Sequence, residues 1–216
     1  MQLEQGVIAS RYNLIQNGDF SKQGSTATIP ADWEYGGGNV WGGSWNDTMR
    51  RATVPGVAAP QLDNNALQFV GDPTDNKRMN QVVRTNGKAG DVYYISGWVY
   101  GKTAPMDAAG KRKFGIEVSP SSGGSQSVWV YQPGSESEDF TGWRYIAAQI
   151  VVPVAHSSLT VSLCFGRNIG TVYFDGIQLF KDGGTHSYTY DGNGHVASAT
   201  NAQGTERAIQ WTRKGM

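Results

Sequence analysis

Apolar residues in the middle of this chain recur at every second position, and no stretch of a dozen residues holds a helical period. Tyr93, Ile95, Gly97 and Val99 fall on one side of an extended backbone, with Tyr94, Ser96, Trp98 and Tyr100 on the other. Phe114, Ile116 and Val118 alternate with Gly115 and Glu117, and Val128-Trp129-Val130-Tyr131 alternates in the same way. Tyr145 to Val152 reads as a strand stopped by Pro153. Leu159, Val161, Leu163 and Phe165 oppose Thr160, Ser162 and Cys164, and Val172 to Phe180 is a further strand. Ala66 to Val70 and Gln81 to Arg84 are shorter ones. Turn signals separate these runs: Asn17-Gly18-Asp19, Asn86-Gly87, Ala89-Gly90-Asp91, Ser121 to Gly124, Gln132-Pro133-Gly134 and Gly166-Arg167-Asn168. Such a pattern predicts an all-β chain built as an antiparallel two-sheet sandwich.

Bulk properties narrow the function classes. Lys plus Arg equals Asp plus Glu at 18 each, so no net field draws in nucleic acid or an anionic membrane. The basic run Lys111-Arg112-Lys113 is expected at a hairpin tip. Cys164, the single cysteine of the 216 residues, excludes an internal disulfide and is expected to be buried. Residues 1 to 6 lack the basic start and apolar stretch of a signal peptide, and no run reaches membrane-spanning length. The ends read as those of a fragment. Composition changes near Lys181-Asp182-Gly183-Gly184, beyond which the chain is small and polar. We therefore expect residues 1–11 to be a linker or the end of a preceding module, residues 12–182 the sandwich, and residues 183–216 a short β-rich or disordered tail.

Several blocks carry a resemblance. Tyr12 to Phe20 (YNLIQNGDF), Ile29-Pro30-Ala31-Asp32-Trp33, Asn65 to Phe69, Tyr93 to Lys102, Gly142 to Pro153 and Val172 to Leu179 occur in that order. Together they resemble the jelly-roll carbohydrate-binding modules attached to xylanases and other glycanases. The resemblance implies a jelly-roll sandwich and a structural Ca²⁺ near the meeting of the two chain ends. Asp175 in Tyr-Phe-Asp-Gly would be its carboxylate ligand, Asp19 a carbonyl donor, and the stretch from Asp63 to Asn65 a further donor. Ser21 departs from the pattern, standing where these modules usually place Glu. The tail, Tyr188-Thr189-Tyr190-Asp191-Gly192-Asn193-Gly194-His195, resembles one YD repeat of Rhs-type proteins, which implies a secreted or wall-associated bacterial parent. Gln2-Leu3-Glu4 echoes Gln178-Leu179-Phe180, as if sandwiches stood in tandem.

Sugars present apolar C–H patches and many hydroxyls, so a sugar site needs aromatic plates beside short polar side chains. Parity puts Trp98 with Tyr100 and Trp129 with Tyr131, each pair opposite valines or isoleucine; if the strands share a sheet, four rings line one surface. Parity equally permits these rings to be core. Gln126, Gln149, Glu117 and Arg144 are candidate polar partners. Trp41 and Trp45 lie in a glycine-rich segment, placed either over a groove or as plugs of the sandwich edge. Trp33 and Trp143 are expected to be structural.

The chain lacks the Gly-x-Ser-x-Gly elbow. Its histidines, at 156, 186 and 195, lack metal-ligand spacing and are expected in loops or the tail. No carboxylate pair is set apart by its surroundings. The expectation is a non-catalytic module binding a polysaccharide or cell-surface glycan, without nucleic acid and without membrane insertion. The rival is a spacer or protein-adhesion sandwich with no sugar ligand.

Overall fold

The computed structural model describes residues 13–36, 49–53, 63–104, 113–129, 140–182, 187–190, 196–200 and 206–208. The strands are β1 (Glu34–Tyr35), β2 (Met49–Thr53), β3 (Asn65–Gly87), β4 (Val92–Ala104), β5 (Lys113–Pro120), β6 (Gln126–Trp129), β7 (Phe140–Val151) and β8 (His156–Lys181), followed by β9 (Ser187–Tyr190), β10 (Val196–Thr200) and β11 (Glu206–Ala208). Among the described residues there are no helices, and none long and apolar enough to cross a membrane.

The pairs Ala66–Val70 with Gln81–Arg84, and Leu159–Phe165 with Val172–Phe180, are not four strands but two. β3 and β8 run 23 and 26 residues and pair antiparallel from Leu67↔Phe174 to Gly87↔His156. Gly166-Arg167-Asn168, expected as a turn, is instead a bend inside β8. Register shifts between Val70 and Asn76 on β3, and Arg167 takes a φ of 50°. At this bend the backbones nearly touch: a Cβ on Gly71 would lie 2.4 Å from the Asn168 carbonyl oxygen. Asn86-Gly87 likewise ends β3 rather than forming a free turn.

Because both long strands bend, each contributes to two layers. In layer one the first part of β3 and the last part of β8 lie between β2 on one side and β4 with β7 on the other. In layer two the remaining halves lie between β1 and the β5–β6 hairpin. Phe69 packs edge-to-face on Phe174 within layer one and Phe114 on Phe165 within layer two, and Phe114 meets Phe174 between the layers, centroids 5.4 Å apart at 88°. Each such contact contributes about 0.5–1.5 kcal/mol beyond area burial. Ile95, Val99, Ile116, Val118, Leu159, Val161 and Leu163 fill the space between the layers. The result is an antiparallel jelly-roll-type β-sandwich.

Residues 13–33 close one end. Leu14 N–H donates to the Leu179 carbonyl, Ile177 N–H to the Gly18 carbonyl, and the Trp33 indole to the Asn17 carbonyl. Trp33 is buried against Phe20, as expected of a framework residue. Cys164 is buried too. His156 departs from expectation: it opens β8, buried, with Nε2 2.8 Å from the Tyr93 hydroxyl.

Backbone contacts divide the chain into residues 13–180 and a second unit formed by residues 1–12 and 181–216. Within the second unit β9, β10 and β11 form a three-stranded antiparallel meander. Lys113 starts β5, while Lys111 and Arg112 fall outside the described residues, as do the Gln2-Leu3-Glu4 echo, His186, His195 and Asp191 onward to His195.

Candidate functional site

On β4, Tyr93, Ile95 and Val99 are buried in the core, and Trp98 and Tyr100 lie on the outer face, half-buried. Trp98 and Tyr100 belong to layer one, whereas β6 pairs with β5, and β5 with the first part of β8, in layer two. The register sets Trp129 opposite Gly115. Period-two alternation assigns a face to a residue but not a layer to a strand. Tyr131, Trp41 and Trp45 lie outside the described residues.

The outer face of layer two is polar and carries a connected network. Outer positions here are Arg78 and Asn80 on β3, Ser162 and Cys164 on β8, and Gly115 and Glu117 on β5. Two cross-strand rows result from the register. One runs Arg78, Cys164, Gly115, Trp129; the other runs Asn80, Ser162, Glu117, Ser127. The Arg78 guanidinium reaches across from one row to the other. Its Nε donates to Asn80 Oδ1 at 3.0 Å, and one terminal nitrogen lies 2.5 Å from Ser162 Oγ and 3.1 Å from Glu117 Oε1. The two charged side chains are only 17% and 16% exposed. Cys164 and Gly115, in the middle of the first row, are small and buried. Gly36 N–H donates to the Arg78 carbonyl at 3.0 Å, and from there the chain enters the segment that carries Trp41 and Trp45.

Layer one's outer face is aromatic. Trp98 packs on Tyr145 (5.3 Å between centroids), Tyr100 on Trp143 (5.4 Å), and Tyr100 on Tyr173 (5.8 Å). Trp143, expected to be structural, is thus a half-buried member of this face. Of the expected polar partners, Glu117 sits in the layer-two network, Gln149 lies beside Tyr94 on layer one, Gln126 donates to the Val151 carbonyl, and Arg144 is exposed on β7. Arg78, Asn80, Tyr145 and Tyr173 were not singled out from the sequence. Arg78 and Asn80 alternate with Met79 and Gln81, so extending the short 81–84 strand backward would have found them.

Asp175 is fully buried where β8 bulges. Phe174 and Ile177 both enter the core although three positions apart, and Gly176 absorbs the irregularity with a φ of 58°. One Asp175 oxygen accepts from Gly176 N–H at 2.7 Å; Oδ2 has no partner. Burial, and then the nearby Asp63 and Asp19 charges, push its carboxyl up to about 8. An orphaned buried carboxylate oxygen flanked by two further carboxylates fits a hard cation. Among the described residues no three acidic, His or Cys side chains converge on one point, so backbone carbonyls would complete the shell. Asp19 and Asp63 use oxygens for local turns, to Ser21 and to Asn65.

No protein-family model and no curated protein matches this chain. Solved structures do. TmCBM61, solved with β-1,4-galactotriose, aligns over 79% of this chain and 99% of its own at 18% identity and a TM-score of 0.49. The xylan-binding domain CBM22-1 from Paenibacillus barcinonensis aligns over 79% and 95% at 16% identity and 0.48. The enzymatically active domain of bacteriophage CBA120 tailspike protein 4 aligns over 79% of this chain but 21% of its own, at 13% identity and 0.50. At these identities the likeness is one of fold.

Proposed function

We propose that residues 13–180 form a non-catalytic glycan-binding module whose groove is the outer face of layer two. The observation that carries the reading is the Arg78–Glu117–Asn80–Ser162 network: charged and amide groups fixed on a sheet's outer face, beside the small residues Gly115 and Cys164. Guanidinium and amide donors with carboxylate acceptors match vicinal sugar hydroxyls, which are donors and acceptors at once. Stacking plates in this reading are Trp129, next in register to Gly115, together with Tyr131, Trp41 and Trp45. Glycoside hydrolysis needs two carboxylates across a cleft. Glu117 is engaged with Arg78 instead, so the groove holds a sugar without cleaving it.

In the same reading Asp175, Asp63 and the backbone at Asp19 hold a structural Ca²⁺, which supplies the positive charge that Asp175 lacks. The parent is a secreted or wall-associated bacterial protein of the Rhs type, carrying sandwiches in tandem and a YD repeat in the tail.

A spacer without a sugar ligand is the second reading. It is favoured by Ser162 and Cys164, which have no exposure although they point away from the core. Affinity electrophoresis through gels containing xylan, galactan, β-glucan or mannan separates the two. Retardation in one gel, abolished by Glu117→Ala, supports the groove. Free migration in all of them supports the spacer.

A further inference from the structure

We infer that the outer face of layer one is a second, independent sugar platform, on the opposite side of the sandwich from the groove. The inference adds a site to the glycan reading and rests on it. Register stacks the face in rows. The first runs Arg50, Gln68, Tyr173 and, joined to Tyr173 by a ring contact, Tyr100 with Trp143; the next on β4 and β7 is Trp98 with Tyr145, then Ser96 with Ala147, then Tyr94 with Gln149.

The rows differ in exposure in an ordered way. Tyr173 is buried and anchored, its hydroxyl accepting from Gln68 Nε2 at 2.8 Å, while Gln68 Oε1 accepts from Arg50 Nε at 3.1 Å. Tyr100 and Trp143 are half-buried on it. Tyr145, at the outer end, is 50% exposed against the half-buried Trp98. Tilts of 56° to 71° between neighbouring rings lock each against the next, so the platform is rigid before anything binds.

Ser96 and Ala147 then leave a shallow step. Positions 94 and 98 are about 13 Å apart along the strand, room for one pyranose ring lying on the Trp98–Tyr145 pair. Its hydroxyls would meet Gln149 and Tyr94 at the far edge. Rings along one side and an amide and phenol along the other suit a ligand with an apolar face and a hydroxylated rim. A purely apolar protein surface would bury the exposed Gln149 amide at a loss.

Titration calorimetry of the full chain with xylo-, galacto-, gluco- and manno-hexaoses tests this. The wild type is expected to bind two equivalents of its preferred sugar. Asn80→Ala/Glu117→Gln retains one, Tyr145→Ala retains the other with the second weakened roughly tenfold, and the combination retains none. Tyr145→Phe, which keeps the ring, behaves as wild type. One equivalent in the wild type, insensitive to Tyr145→Ala, overturns the second platform and leaves the groove standing. Loss of self-association in Tyr145→Ala, by sedimentation, with sugar binding unchanged also overturns it and assigns the face to a second copy of the chain. No heat with any of the four sugars overturns both sites.

Discussion

Arg78 and Glu117 meet across a third strand. They sit on β3 and β5, with β8 between, yet their charged atoms are 3.1 Å apart over Ser162. Removing one partner strands the other in a mostly buried position. Glu117→Ala is expected to cost about 1–3 kcal/mol, between the values for exposed and buried pairs, and to abolish retention by polysaccharide. Urea unfolding and gel affinity check the two effects separately. Glu117→Gln, which keeps an acceptor for Arg78, is expected to recover much of the stability and little of the binding.

Asp175 makes stability depend on pH in a definite direction. Its folded value of about 8 stands above the ordinary 3.8, so between these limits the folded protein holds a proton that the unfolded chain has released. Metal-free protein is therefore expected to lose stability as pH rises from about 4 to about 8, at up to about 1.4 kcal/mol per pH unit. Asp175→Asn flattens this slope. Adding Ca²⁺ at pH 8 raises the melting temperature of the wild type and leaves Asp175→Asn unmoved. Melting curves in chelator and in Ca²⁺ across this range provide the check.

The layer-to-layer bend depends on the closeness of two backbones. A Cβ at Gly71 would press on the Asn168 carbonyl, which cannot swing aside as a side chain could. Gly71→Ala is expected to destabilise by about 1–3 kcal/mol through overpacking. Chemical denaturation measures it; an unchanged midpoint would show that β3 and β8 do not run together through this bend.

Tyr93 and His156 satisfy one another in the core, and His156 Nδ1 also lies 3.1 Å from the Val154 carbonyl. Tyr93→Phe leaves a buried ring nitrogen without its partner at a cost of about 1–3 kcal/mol. Urea midpoints of the two proteins give the difference.

Strand positions were legible in the sequence because burial selects one face of a pleat. Alternation puts Trp98 on the face opposite Ile95 and Val99; that Ile95 and Val99 are the inner pair comes from the packing. What alternation cannot carry is long-range pairing. Gly166-Arg167-Asn168 has the composition of a turn, and only its pairing with Asp72 and Asn76 shows that the strand continues. The same blindness merged Trp98 with Trp129, which alternate alike but belong to different layers. Arg78 and Tyr145 gain their meaning from neighbours remote in sequence, Glu117 and Trp98. Asp175 was singled out only through the family resemblance; its burial comes from a bulge that shifts parity between Phe174 and Ile177.

Backbone amide chemical shifts, followed while the best-retained oligosaccharide is titrated in, test the central proposal most directly. The account predicts that shifts concentrate at Arg78, Asn80, Gly115 to Glu117, Ser127 to Trp129 and Ser162. Saturating sugar that leaves those amides unmoved would contradict it.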